Sequence, residues 1–215
     1  MIVSGDIPYR KLRDVSPDLL ATLHRTLDSV DWKKHQRGND PLFRETASIE
    51  MPYIMCETEN DEVHVKAAVD ELLTALCFPQ HRVVRAYLGY VFPKCKIELH
   101  KDTYVYHRLS HRVHLPLFTH EDAKILWEGY EAHLPANAMY EIDNIRRHGV
   151  YNGSDQSRLH LIADFCRLDV FRFFKDSMGI QLVGNPMIAP ELLRSIDSIS
   201  GTLCQSSLSR LIEGR

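Results

Sequence analysis

Four residues between Leu99 and Ala163 could do chemistry together: the pair His100 and Asp102, the more distant His148, and Arg158 ten positions beyond it. Two histidines and one carboxylate on one face of a metal leave the opposite face open. That suits iron(II) that must hold a cosubstrate and oxygen at once. A nearby guanidinium can grip a carboxylate through two parallel hydrogen bonds. In a strand, residues i and i+2 project from one face, so His100 and Asp102 could reach one ion while Lys101 points away. Taken alone, a His-x-Asp triplet is common and can be a surface hydrogen-bonded pair. His148 would bring the third ligand from a distant strand, one that runs into the turn Asn152-Gly153-Ser154-Asp155 before Arg158 begins the strand that follows. The competing readings are a solvated basic run for Arg146, Arg147 and His148, and a rim salt bridge for Arg158. All four in this order are much harder to assign to accident.

Arg112-Val113-His114-Leu115-Pro116-Leu117 adds a second polar pair on one strand face, opposite Val113, Leu115 and Leu117. On a half-exposed sheet Arg112 and His114 would meet water. Inside a barrel they need a buried partner, and an anionic cosubstrate would serve.

The elements that must position these residues fall into three stretches. The first, residues 1–80, is mixed and mostly helical. Ser16-Pro17 starts a helix over 16–30 with Leu19, Leu20, Leu23 and Leu27 at helical spacing. A loop at 38–41 and a short strand over 47–54 follow. A second helix over 61–77 then carries Val65, Val69, Leu72, Leu73 and Leu76, and Pro79 ends it. The second stretch, 81–167, alternates apolar and polar residues with period two. Strands are expected at 83–92, 96–100, 112–118, 138–142, 148–151 and 158–166. Short strands without helices between them indicate an antiparallel sandwich or barrel. The third stretch, 168–215, returns to helical patterns at 169–176 and from 189. Its helix either covers the barrel or mediates a homodimer. The terminal Ile212-Glu213-Gly214-Arg215 matches a tetrapeptide cut by a clotting protease used to remove tags and is given no functional weight.

At 215 residues, 44% of them hydrophobic and 26% charged, the chain can bury one sizeable core. A formal charge of -3 with no long basic block argues against nucleic acid as the main partner. No apolar run approaches the ~20 residues that cross a bilayer, and the first residues do not form a secretory signal, so a cytoplasmic location is expected. Five cysteines, odd in number and without a C-x-x-C pair, read as free thiols. Eight of twelve histidines lie from position 100 onward, and only position and spacing can distinguish ligands among them.

The segment from Ile97 to Phe165 resembles the aspartyl/asparaginyl β-hydroxylase-like oxygenases. The match is carried by His100-Lys101-Asp102, the Arg112–Leu117 run, and Met139-Tyr140-Glu141-Ile142-Asp143-Asn144 leading to His148. It continues through Arg158-Leu159-His160-Leu161-Ile162-Ala163-Asp164. The resemblance implies a mainly β fold with flanking helices, built on a double-stranded β-helix (jelly-roll, cupin-type) core. It also implies an Fe(II)- and 2-oxoglutarate-dependent dioxygenase in which His100, Asp102 and His148 hold iron. Arg158 would then pair with the distal carboxylate of 2-oxoglutarate, while Arg112 and His114 help to orient that cosubstrate. Oxygen and an amino-acid or peptide substrate would be the partners. The vertebrate enzyme that names the family lacks the metal carboxylate. This chain has it, and in that respect looks more like bacterial members, which include hydroxylases of free proline. Between Gly129 and Ala138 the usual glycine-acid turn is replaced by Pro135-Ala136-Asn137-Ala138, a change in a loop and not in a ligand. Tyr104, Tyr106 and Arg108, just after the first ligands, are the candidates for substrate contact. The main rival is a non-oxygenase cupin-type metal-binding or isomerase domain, which would have no use for Arg158. A degenerate interaction domain would have no use for three ligands.

Overall fold

The computed structural model describes residues 7–51, 62–102, 107 and 109–169. Helix α1 (Pro17–Leu27) starts where the side chain of Ser16 accepts the Asp18 N–H at 3.3 Å, with Pro17 in the first turn. It buries Leu20, Leu23 and Leu27. Helix α2 (Val63–Leu76) buries Val65, Ala68, Val69, Leu72, Leu73 and Leu76, and the chain turns extended at Cys77, ahead of Pro79.

Ten strands are present among the described residues: β1 (Tyr9–Asp14), β2 (Thr46–Met51), β3 (His81–Val91), β4 (Lys96–His100), β5 (His111–Phe118), β6 (Ala123–Trp127), β7 (Tyr130–Ala132), β8 (Ala138–Ile142), β9 (His148–Asn152) and β10 (Arg158–Arg167). They form a six-stranded sheet in the order β1-β8-β5-β10-β3-β2 and a four-stranded sheet in the order β4-β9-β6-β7, with antiparallel pairing throughout. The architecture is mainly β, as expected, and has the two antiparallel sheets of a jelly roll.

Three strands, β1, β6 and β7, go beyond the expected set. The turn at 152–155 is present, but it carries the chain from one sheet to the other and does not close a hairpin, since β9 and β10 lie in different sheets. Asn152 builds this corner. Its Nδ2 donates to the carbonyls of Val91, Phe92 and Gln156, and its Oδ1 accepts from the Ser154 hydroxyl at 2.8 Å. The helices expected at 169–176 and from 189, and residues 52–54 of the expected 47–54 strand, lie outside the described residues.

Alternation along the strands sorts the residues into two interiors. Leu159, Leu161, Ala163 and Phe165 of β10 join Val113, Leu115 and Leu117 of β5, and Ala86 and Leu88 of β3. These pack against α1 and α2 in one core. Each large apolar side chain so buried contributes roughly 1.5–3 kcal/mol. The opposite face of the six-stranded sheet meets the four-stranded sheet. Toward β8 that interface is apolar, with Ile125, Trp127, Leu134, Tyr140 and Ile142. Toward β10 it is polar, because Arg112 and His114 of β5 and Arg158, His160 and Asp164 of β10 occupy the inward positions and are all buried. The described cysteines Cys77, Cys95 and Cys166 are free thiols. No described helix is long and apolar enough to cross a membrane.

Candidate metal and cosubstrate site

His100 and His148 are direct cross-strand partners on β4 and β9, with ring centroids 4.6 Å apart. Each Nδ1 lies against the carbonyl two residues earlier, His100 on Glu98 at 2.8 Å and His148 on Arg146 at 2.9 Å. A carbonyl can only accept, so each Nδ1 carries the proton and each Nε2 presents a lone pair. This arrangement fixes ring and tautomer in the way ligating histidines require. Both Nε2 atoms lie 3.9 Å from a carboxylate oxygen of Asp102. One ligand atom from each of the three residues falls within 4.8 Å of the other two, and the described residues hold no other such group.

Asp102 reaches this position by a different route from the one strand geometry suggests. β4 ends at His100, and Asp102 lies in the segment after it. Its N–H donates to the Asn144 carbonyl at 3.4 Å, and its Oδ2 accepts from Asn144 Nδ2 at 2.9 Å and from Arg112 Nη1. Burial alone would raise the carboxyl pKa. The Arg112 guanidinium, with His107, His148 and the Asn144 hydrogen bond, outweighs it and holds the group well below the usual carboxylate range. For His148, burial pushes the pKa down despite the nearby Asp102 charge, which favours the neutral, ligating form. The edge of the Phe43 ring rests on His100, centroids 5.4 Å apart.

Arg158 is 3% exposed and makes no ion pair with any described residue. Among the described residues its one hydrogen bond runs from Nη2 to His160 Nδ1 at 2.9 Å. Burial pushes its pKa down to about 9, so it remains a cation at neutral pH. His160 Nδ1 must accept here, because a guanidinium has no lone pair to offer. His114 Nδ1 lies 3.3 Å from the same atom. Both histidines stay neutral, since burial and the neighbouring Arg158 charge push their pKa values well below the ordinary range.

Arg112, read from the sequence as a residue that orients a cosubstrate, has its donors taken by protein groups. Nε and Nη2 fork onto Asp164 at 2.8 and 2.7 Å, Nη1 bonds Asp102, and Nη2 also meets His107 Nε2 at 3.0 Å. Burial pushes His107 down to about 3, which leaves it neutral and able to accept. Tyr104, Tyr106 and Arg108, the candidates for substrate contact, lie outside the described residues. Asn144, His160 and Asp164 were quoted in the sequence motif without a role. The signal for two of them was available in the period-two run of polar residues 158, 160 and 164 down one face of a strand.

Two facing antiparallel sheets with an inward His/Asp/His group define a jelly roll with a candidate metal site between its sheets. The same fold occurs in an oxidoreductase of the 2OG-Fe(II) oxygenase family from Burkholderia pseudomallei, at 10% identity over 78% of this chain and 93% of that one, TM-score 0.53. A prolyl-4-hydroxylase from Pseudomonas putida superposes at TM-score 0.46, with 17% identity over 75% and 94% of the two chains. No curated protein matches the sequence. The family model for aspartyl/asparaginyl β-hydroxylase matches residues 57–168, and the chain belongs to that family of hydroxylases.

Proposed function

We propose that this chain is an Fe(II)- and 2-oxoglutarate-dependent dioxygenase that hydroxylates an amino-acid side chain, in a free amino acid or a peptide. The observation that carries this is the convergence of His100, Asp102 and His148, with both Nε2 lone pairs and a carboxylate turned to one point. These three would hold iron, and the donor set fits it: two neutral imidazoles and an anionic oxygen on one side of the ion. Iron and 2-oxoglutarate together supply the oxidant, as the keto acid and oxygen yield succinate, carbon dioxide and one oxygen atom for the substrate.

The protein's own groups bind and orient. Arg158, buried without a carboxylate beside it among the described residues, suits the distal carboxylate of the cosubstrate. His160 orients the guanidinium by accepting a hydrogen bond from it, and His114 lies against that ring on the inward face toward the metal ligands. Phe43 covers one side of His100. Membership in a hydroxylase family supports an amino-acid side chain as the target.

The test is succinate release by iron-loaded protein with 2-oxoglutarate, run against the common amino acids and short peptides, with mass spectrometry for the gain of one oxygen. Succinate together with a hydroxylated product is expected. Metal binding without any 2-oxoglutarate turnover would instead favour a cupin-type domain that holds a metal for another purpose.

A further inference from the structure

We propose that Asp164, acting through Arg112 and together with Asn144, is a positioning residue that presents Asp102 to the metal through its Oδ1 alone. This rests on the function proposed above and assigns a mechanical role to groups that touch neither metal nor cosubstrate.

The two oxygens of Asp102 are treated differently by their surroundings. Oδ2 accepts from Arg112 Nη1 and from Asn144 Nδ2 at 2.9 Å, which occupies both of its lone pairs. Distance does not separate them, since Oδ1 lies 3.9 Å from His100 Nε2 and Oδ2 3.9 Å from His148 Nε2, but Oδ1 accepts no hydrogen bond from any described residue. The oxygen left to a cation is therefore Oδ1. A carboxylate bound through one oxygen leaves three positions of a six-coordinate ion for a two-toothed keto acid and oxygen; one bound through both would remove a position.

Arg112 can act as a rigid support because Asp164 fixes it. The pair is a parallel fork, Nε to Oδ1 at 2.8 Å and Nη2 to Oδ2 at 2.7 Å, with Arg112 4% and Asp164 0% exposed. Asp164 also sits opposite Arg112 in the β5–β10 register, so the fork is set by the sheet itself. Its charge balances the guanidinium, so Arg112 can lend Nη1 to Asp102 without leaning on that carboxylate for neutrality. Asn144 completes the clamp from the loop that leads into β9, the strand that supplies His148. Two distant parts of the chain thus converge on one oxygen atom of Asp102, and a third braces one of them.

The experiment uses cobalt(II) as the probe, titrated into the full chain and into Asp164→Asn, Asn144→Ala and Asp102→Ala. Affinity and the visible absorption of the bound ion are followed, with thermal unfolding as the check on folding. Altered partners of a metal-ligating group typically cost 10–100-fold in metal affinity. Asp164→Asn and Asn144→Ala are each expected to fall in that range and to change the cobalt spectrum, while both remain folded. Cobalt affinity within about twofold of the unaltered protein, with superimposable spectra, would overturn the clamp while leaving the proposed function standing. Should Asp164→Asn not fold, Asn144→Ala decides by the same criterion, because it removes a neutral donor from the same oxygen without stranding a charge. Failure of the unaltered chain to bind cobalt, or equal binding by Asp102→Ala, would instead contradict the proposed function itself.

Discussion

At the scale of single residues, the most informative group is Arg158, because a buried cation with no carboxylate partner among the described residues carries a cost that an anionic ligand relieves. The sign follows from its lowered pKa. The folded chain gives up that proton near pH 9, well below the ordinary arginine range that holds in the unfolded chain, so ligand-free stability rises only as the pH climbs past about 9, and the cost is fully present at neutral pH. Binding 2-oxoglutarate should therefore raise the melting temperature of the metal-loaded protein at pH 7. Arg158→Ala should lose this stabilisation and about 3–5 kcal/mol of 2-oxoglutarate affinity, at least a hundredfold, with metal affinity nearly unchanged. Calorimetric titration distinguishes the two, and unchanged 2-oxoglutarate affinity would show the arginine to be misassigned. The candidate ligands were legible because histidine and carboxylate are few-purpose residues whose order along the chain survives any fold. What holds Asp102 was not legible. Arg112 and Asp164 stand 52 positions apart, and only the register of β5 against β10 makes them neighbours. Sequence alone therefore left Arg112 looking like a cation in need of a ligand.

At the scale of elements, the close approach of β4 to β9 brings the two histidines side by side, and Gly149 permits it. A Cβ there would stand 2.5 Å from the Ile97 carbonyl oxygen, a backbone atom that cannot turn aside. Gly149→Ala should push β4 outward and weaken metal binding at least tenfold with the rest of the fold retained. Metal titration with far-ultraviolet circular dichroism reads both, and wild-type affinity would show that β4 tolerates the shift.

A second joint lies at the other side of the six-stranded sheet. Buried Glu141 of β8 accepts from Arg10 of β1 at 2.7 Å and from His111 of β5 at 2.8 Å. Burial would raise its pKa, but the hydrogen bond from His111 and the Arg10 charge outweigh it and lower it below 4.5. Its stabilisation is therefore present above pH 4.5 and lost as pH falls through the lower, folded value. Glu141→Gln should cost about 3–5 kcal/mol in urea unfolding at pH 7, and the gap from the unaltered protein should narrow as the pH falls below 4.5 toward the lower folded value. A gap independent of pH would mean that packing, not charge, sets the effect. The helices and strand β8 could be read from periodicity because their apolar faces meet a core. β1 could not: Tyr-Arg-Lys-Leu-Arg-Asp is an edge strand whose arginines reach across to Glu141 and the Leu76 carbonyl, so it lacks the expected alternation.

At the scale of the whole molecule, the stretch before residue 80 supplies two strands of the six-stranded sheet, β1 and β2, and two helices that share one core with β3, β5 and β10. We propose that these parts unfold together, so urea should give one transition by fluorescence and by circular dichroism alike, and residues 81–167 expressed alone should not fold. Two separate transitions would mark the first stretch as an independent unit. The arrangement has a functional sense. Helices cover one face of the sheet with apolar residues, which leaves the other face free to hold charges that would be costly in a core without partners. That polar interior is where the central claim stands, and an anaerobic titration tests it most directly. Iron(II) and then 2-oxoglutarate are added to the full chain, to Asp102→Ala and to Arg158→Ala. The account predicts one iron and one 2-oxoglutarate per chain, with iron binding lost in Asp102→Ala and 2-oxoglutarate binding lost in Arg158→Ala while its iron remains. Iron bound equally by all three proteins, or 2-oxoglutarate bound as well without Arg158, would contradict it.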